Sequence, residues 1–388
     1  MCAGARASHN SDTVAGIYLH IPFCKSRCTY CDFYSTTALA QRDRYVAALC
    51  HELTQRADTA TPVNTIYIGG GTPSQLAVRQ IAHLLRTIHD HYRVAADAEI
   101  TMELNPDDVS ADYAHALSAT PVNRVSLGIQ TFCDDRLRLL RRRHTAADAV
   151  QAVRTLQSAG FANISIDLMF GFPDETETQW HDDVEQALRL RVPHISAYSL
   201  MYEEGTRLTR MLRQGQIREA DDETVLRMYR LLTTRLREAG YEHYEISNYC
   251  LPGSHSRHNS SYWDGTPYAG FGCAAHSFDG TTRSWNPAHL HTYIISMEQE
   301  GRISRESETL TTAQRYNERI MTRLRTARGA DLDRLRRDFG QHLYDYCLRM
   351  AQPHLRDGRL RITDDRRLCL TDEGIFVSDS VMSDLMSV

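Results

Sequence analysis

No stretch of the 388-residue chain approaches eighteen uninterrupted apolar residues, so a membrane-spanning helix is not expected. The first fifteen residues, MCAGARASHNSDTVA, lack the apolar core of a secretory signal. A flexible segment 1–15 and a cytoplasmic location are the resulting expectations. Charge of one sign is also lacking. Forty-four basic side chains stand against 49 acidic ones, a formal charge of -5, so bulk charge favours neither nucleic acid nor a membrane surface as partner. A disulfide framework is missing too: of ten cysteines only Cys24, Cys28 and Cys31 cluster, and no second C-x2-C knuckle follows them. Short repeats are absent, which excludes a solenoid.

What is present from Gly16 to Leu200 is an alternation of short apolar runs with longer segments of helical periodicity, the pattern of a parallel α/β fold. Six runs are expected as strands: Gly16 to Ile21, Thr65 to Ile68, Glu99 to Leu104, Arg124 to Ile129, Asn163 to Leu168 and His194 to Leu200. Helices are expected over Ala38 to Arg56, Ser74 to His89, Ala146 to Ser158 and Glu177 to Leu190. Ligands gather at the carboxyl ends of parallel strands. The polar or glycine-containing tips at Cys24, Gly69 to Thr72, Glu103, Gln130 and Asp167 should therefore converge on one face of a partial (β/α)6 barrel, open on one side.

A chain of this length exceeds the usual size of one core, so a smaller attached unit is expected. Beyond Met201 the pattern predicts a helix to about Ala239, a strand-like Tyr241 to Ser247 and a loop-rich stretch to about Asn286. Helices near Ala313 to Arg325, Leu332 to Phe339 and Leu343 to Leu355 then precede a hairpin from Leu360 and a closing helix after Asp372, a winged-helix-like plan. The reading divides the chain into 1–15, a barrel 16–240, a segment 241–300 and a C-terminal domain 301–388. Winged helices often bind DNA, but Arg328 to Arg367 mixes ten arginines with seven aspartates, the pattern of a solvated surface. The run GFGCAA imitates a dinucleotide fingerprint without its strand-turn-helix setting.

Cys24-x3-Cys28-x2-Cys31 sits directly after the first run, in HIPFCKSRCTYCDFYS. A 4Fe-4S cube normally takes four cysteines, so three leave one iron without a protein ligand. Zinc is the alternative, with His20 or Cys50 completing a tetrahedron. The spacing after a strand, with Tyr30 beside the last cysteine, resembles the radical SAM superfamily. That resemblance implies a partial or complete parallel barrel, S-adenosylmethionine (SAM) chelated at the unique iron, and an electron donor where SAM is cleaved. The glycines of Gly69-Gly70-Gly71-Thr72 let backbone approach a ligand closely. Glu103 offers a carboxylate for a ribose hydroxyl or an ammonium, and Gln130 an amide. By pattern alone Arg142, in LRLLRRRH, reads as a solvated basic face and Asp167 as a turn cap.

The runs IYLHIPFCKSRCTYCDFYS, YIGGGTPS, MELNPDD, NRVSLGIQTF, ISIDLMFGFPDET and HISAYSLMYEEGT are similar to the group of oxygen-independent coproporphyrinogen III oxidase and its HemW-type haem-chaperone relatives. The resemblance implies SAM contacts at Tyr18, Tyr30, Gly70, Gly71, Thr72, Glu103, Gln130, Arg142 and Asp167, with Met201 a weaker match. Phe33, where the oxidase pattern continues with another cysteine, and the short N-terminus favour the chaperone branch. So does His258-Asn259-Ser260-Ser261-Tyr262-Trp263, which matches an HNxxYW motif of that branch. An imidazole is a common axial haem ligand and aromatic rings can line a macrocycle. His258 is the first candidate, with Tyr262 and Trp263 beside it and His255, His276 and Cys273 as competing ligands; simple hydrogen bonding in a loop is the other reading of His258. The expected function is a haem chaperone serving an acceptor protein of unknown identity. The rivals are an oxidative decarboxylase of coproporphyrinogen III and a zinc-stabilised binding module.

Overall fold

Residues 16–387 are described by the computed structural model, so the expected flexible segment 1–15 lies outside the described residues. Six strands, β1 (Gly16–Ile21), β2 (Asp58–Gly70), β3 (Tyr92–Leu104), β4 (Arg124–Gln130), β5 (Asn163–Phe170) and β6 (His194–Ser199), pair in parallel and in chain order. Their apolar side chains share one buried face, as Ile17, Leu19, Ile66, Ile68, Leu127 and Ile166 illustrate, while the opposite face carries polar residues such as Tyr67, Glu103, Arg124 and Asp167. Apolar residues recurring at every second position mark a strand with one apolar face, which is why these six were legible.

The crossovers are helical for local reasons. In helix Ala146–Ser158, Thr145 and Asp148 form a reciprocal capping box, and Ala149, Ala152, Val153 and Leu156 fall on one buried face at the i, i+3, i+4, i+7 spacing. Thr176 and Gln179 start helix Glu177–Arg189 in the same way.

Two differences from the sequence expectation matter. β2 and β3 begin at Asp58 and Tyr92, several residues before the apolar runs, and their early halves pair through register shifts. Those halves mix exposed, half-buried and buried residues without regular order, so no periodicity marks them. More consequentially, the expected strand-like Tyr241 to Ser247 does hold a strand, and the loop-rich stretch after it, with a segment beyond, adds further strands, so that both edges of the sheet are extended. β7 (Glu242–Glu245) and β8 (Asn248–Cys250) join antiparallel beyond β6. β9 (Tyr268–Phe271) lies parallel to β1, and β10 (His276–Phe278), β11 (Thr282–Trp285) and β12 (Glu306–Thr309) continue outward in a twelve-stranded sheet. At three or four residues each, these strands are too short to show a period; open edge hydrogen bonds recruit them.

The C-terminal unit comprises helix Thr312–Leu324, β13 (Ala330–Asp331), helix Leu332–Arg356, the hairpin β14 (Leu360–Ile362) and β15 (Arg367–Leu370), and helices Asp372–Phe376 and Ser378–Asp384. The two central helices expected from sequence run together with a kink at Gly340, whose backbone is left-handed (φ 81°). β13 adds a third strand beside β15. The unit has its own core, including Tyr316, Ile320, Leu335, Leu368 and Val381. Among the described residues no helix is long and apolar enough to cross a membrane.

Candidate functional site

The cysteine loop leaves β1 and is closed at its base like a short ladder. Phe23 bridges Thr36 in parallel, the Cys24 amide donates to the Thr36 carbonyl at 2.9 Å, and the Thr36 amide to the Pro22 carbonyl at 2.7 Å. Its far side is stapled at Thr29, whose amide and hydroxyl donate to the Leu140 and Leu139 carbonyls, both at 3.1 Å, while the Leu208 amide donates to the Thr29 carbonyl at 2.9 Å. Cys24, Cys28 and Cys31 are thereby held half-buried and unpaired. Burial pushes the Cys24 thiol up, partly offset by the Thr72 hydroxyl 3.4 Å away. It pushes Cys31 up to about 11, with the neighbouring Cys28 and Cys24 adding to the effect. Metal ligation requires the thiolate, so a bound metal centre would offset the raised proton affinity of Cys24 and Cys31.

Zinc fits poorly. With Zn–S near 2.3 Å, tetrahedral ligand sulfurs lie roughly 3.8 Å apart. Among the described residues the set of three metal-type donors within 4.8 Å of one another is Glu242, Cys250 and His255, not the loop cysteines. The two side chains expected to complete a tetrahedron are committed elsewhere. His20 bonds Tyr18 at 3.1 Å and the Tyr34 carbonyl at 3.0 Å, and Cys50 accepts from Thr87 at 3.5 Å. The wider donor set suits a cube.

The strand tips face this loop. A Cβ on Gly71 would lie 2.8 Å from the Pro22 carbonyl carbon and 3.1 Å from Cys24 Sγ, so only glycine lets β2 pass so close. The Gly70 amide donates to Glu103 at 3.2 Å and the Tyr67 hydroxyl donates to the same carboxylate at 2.7 Å. Burial raises Glu103 to about 7, and the Asp167 charge adds to it; Asp167, beneath the Ser126 hydroxyl at 3.4 Å, is raised by burial to about 6. Arg142 is not a solvated residue. It donates to Asn105 at 2.9 Å, to the Gly128 carbonyl at 2.5 Å and to Cys28 Sγ at 3.6 Å. Gln130 holds a left-handed backbone (φ 74°), and its amide nitrogen and the Arg142 guanidinium both lie within 3.4 Å of where a Gly128 side chain would begin. Thr72 accepts from Asn105 at 3.3 Å. Tyr30 packs with Leu140, Met169, Phe172 and Leu200. Tyr18 stacks on Tyr67 at 6.2 Å. Met201, by contrast, is largely exposed. Sequence reasoning missed Tyr67 as a member of this constellation, although it lies in a motif that was singled out; the missing signal was which face its side chain takes.

The histidine motif forms helix Arg257–Asp264. Glu99 of β3 caps it, accepting the Arg257 amide at 2.9 Å and the His258 amide at 3.0 Å. Here the expectation of His258 as an open haem ligand is corrected. The ring is fully buried, its Nδ1 lies 2.8 Å from the Thr65 hydroxyl and its Nε2 2.8 Å from the Tyr262 hydroxyl, so no ring lone pair faces a ligand. Burial, then the Arg124 charge, holds the imidazole neutral, down to about 3. It stacks on Tyr67 at 5.1 Å, so a single tyrosine joins Glu103 to this helix. Trp263 packs beneath the Arg325 guanidinium at 4.9 Å, with its indole N–H buried and unbonded. Of the competing ligands, Cys273 is buried, its thiol raised to about 12 by burial; His276 stacks on Trp285; His255 pairs with Glu242 at 3.2 Å.

A family model described as the radical SAM superfamily matches residues 18–187, the span that carries the cysteine loop and β1 to β5. A second, described as the HemN C-terminal domain, matches residues 310–377. The protein named heme chaperone HemW from Mycobacterium tuberculosis is 36% identical over 377 residues, covering 96% of this chain and 94% of that one. The chain belongs to the HemW family. Its HemW relatives from Bacillus subtilis and Escherichia coli are 36% and 37% identical over 330 and 264 residues, covering 84% and 67% of this chain and 87% and 69% of theirs. The solved structure of coproporphyrinogen III oxidase (HemN) from Escherichia coli, described as a radical SAM enzyme, superposes with a TM-score of 0.83 at 22% identity over 97% of this HemW-family chain and 91% of its own. At that identity the likeness speaks for the fold, including the C-terminal unit.

Proposed function

We propose that this HemW-family chain is a haem chaperone that holds a 4Fe-4S cluster on Cys24, Cys28 and Cys31, binds SAM beside it, and passes haem to an acceptor protein. The observation that carries the reading is a stapled loop presenting three thiols, with no tetrahedral set around them among the described residues, to the carboxyl ends of five parallel strands. When bound, such a cluster supplies one-electron chemistry and one open coordination position.

This chain's residues do the positioning. Gly70 and Gly71 bring backbone against the loop, and Glu103, raised toward neutrality while empty of a cation, gains its charge when an ammonium or hydroxyl-rich ligand arrives. Arg142 sets a buried cation beside Cys28, and Thr72, Gln130, Asp167, Tyr18 and Tyr30 complete the SAM surface. Phe33, 65% exposed beside Asp32, stands where the oxidase pattern has a further cysteine. Haem is assigned to the neighbourhood of Tyr262 and Trp263, and the acceptor is a second protein.

Anaerobic reconstitution tests this. About four iron and four sulfide per chain, a cluster EPR spectrum altered by SAM and a Soret shift on haem addition are expected. One tetrahedral zinc without sulfide, or an unaltered haem spectrum, would sink it. Incubation with SAM, reductant and coproporphyrinogen III should yield no protoporphyrinogen IX; turnover would transfer the chain to the oxidative decarboxylase reading.

A further inference from the structure

Two adjoining cavities lie between helix Arg257–Asp264 and the C-terminal unit, about 570 Å³ and 640 Å³, both touching Gly265, Arg319 and Asp338. Their walls differ in kind. The first is aromatic, with Tyr262, Trp263, Tyr268, Phe278 and Phe339. The second gathers six arginines against three aspartates. The even mixture of arginine and aspartate in the sequence of this region thus conceals a one-sided concavity.

The charges inside it do not cancel. Arg323 pairs with Asp264, Arg334 with Asp338 at 3.4 Å, and Arg367 with Asp331 at 3.5 Å. Arg319, Arg328 and Arg337 form no ion pair within 4 Å among the described residues, although Asp338 lies near Arg319 and Asp331 near Arg337. The crowding is felt by the buried members: burial pushes Arg323 down to about 10, and Arg328, Arg367 and Arg334 add to the shift. The aromatic cavity has its own unmet demand, since Arg315 Nε and the Trp263 indole N–H are buried without an acceptor. Buried donors left unpaired cost free energy, and native proteins keep few of them, so an acceptor that arrives with a ligand accounts for both.

We propose that the two cavities together form the dock for a planar tetrapyrrole bearing carboxylate side chains, its ring against Tyr262, Trp263 and Phe339 and its carboxylates on Arg319, Arg328 and Arg337. The proposal rests on the haem-chaperone reading and adds the place and the recognition chemistry. A flat apolar ring complements the aromatic wall, and pendant acids complement the free guanidinium groups. Both volumes fall in the range of roughly 300–1,000 Å³ usual for small-molecule sites. A bare phosphate would satisfy the arginines and leave the aromatic wall uncovered.

The test uses the full-length, cluster-loaded protein, titrated with haem and with haem dimethyl ester, whose two carboxylates are masked, reading the Soret band. The native protein should bind the ester about tenfold or more weakly than haem. Arg319→Gln combined with Arg337→Gln should weaken haem by a similar factor and erase the difference between haem and ester. Neither substitution leaves a carboxylate unpaired, so the thermal midpoint should stay unchanged. Equal affinity of the native protein for both probes, or native haem affinity in the double variant, overturns the dock while leaving the chaperone reading intact. Failure of the native protein to bind haem at all removes both.

Discussion

Glu103 and Asp167 lie half-buried in one site, with pKa values pushed up by desolvation to about 7 and about 6. An acid whose folded pKa exceeds its unfolded one binds more protons in the native state, so ionising it opposes folding. The ligand-free protein should therefore lose stability as pH rises from about 4.5 to about 7. Glu103→Gln should flatten that slope by on the order of 2–3 kcal/mol, read from urea midpoints at pH 5 and pH 8. A slope unchanged in the variant would show that Glu103 is not the group responsible. His258 makes a second case. Its replacement by alanine opens a cavity and strands the Thr65 and Tyr262 hydroxyls, so His258→Ala should cost about 2–4 kcal/mol of unfolding free energy. A variant of native stability that had lost the haem spectrum would restore the histidine as a ligand.

At the scale of elements, helix Arg257–Asp264 depends on a carboxylate from another strand. Glu99→Ala leaves two amides of its first turn uncapped, and about 2–3 kcal/mol of destabilisation is expected from denaturant unfolding. The tip of β2 answers to space instead. Gly71→Ala must displace either the Pro22 backbone or Cys24, so the variant should fold but retain less than half the iron of the native protein after desalting, measured by iron and sulfide assay. These two elements illustrate what was legible. The glycine run and the six parallel strands carry local signals, namely missing side chains and alternating apolar residues. β8 to β12 carry almost none, because short edge strands are defined by the partner whose hydrogen bonds they complete.

At the scale of the molecule, the cysteine loop and the cavities beside the C-terminal unit are built from different elements. Replacing Cys24, Cys28 and Cys31 together by alanine should abolish iron and sulfide while leaving the haem titration within about twofold of native. Loss of both would show that cluster and haem share one site. The C-terminal unit is fastened across this boundary by Arg237 to Asp372 at 2.7 Å and Arg325 to Glu245 at 2.9 Å. The first is exposed and should matter little; the second ends on a buried carboxylate, whose loss of partner would be costly.

Sequence alone determined the three-cysteine loop, the parallel strands behind it and the kinship that these residues carry, because each rests on local residue patterns. Tertiary structure decided that Arg142 turns inward to Cys28, that His258 spends both ring nitrogens inside the protein, and that scattered arginines share one cavity. Those outcomes depend on which distant groups meet and how much water is excluded when they do. Neither quantity is contained in a local pattern.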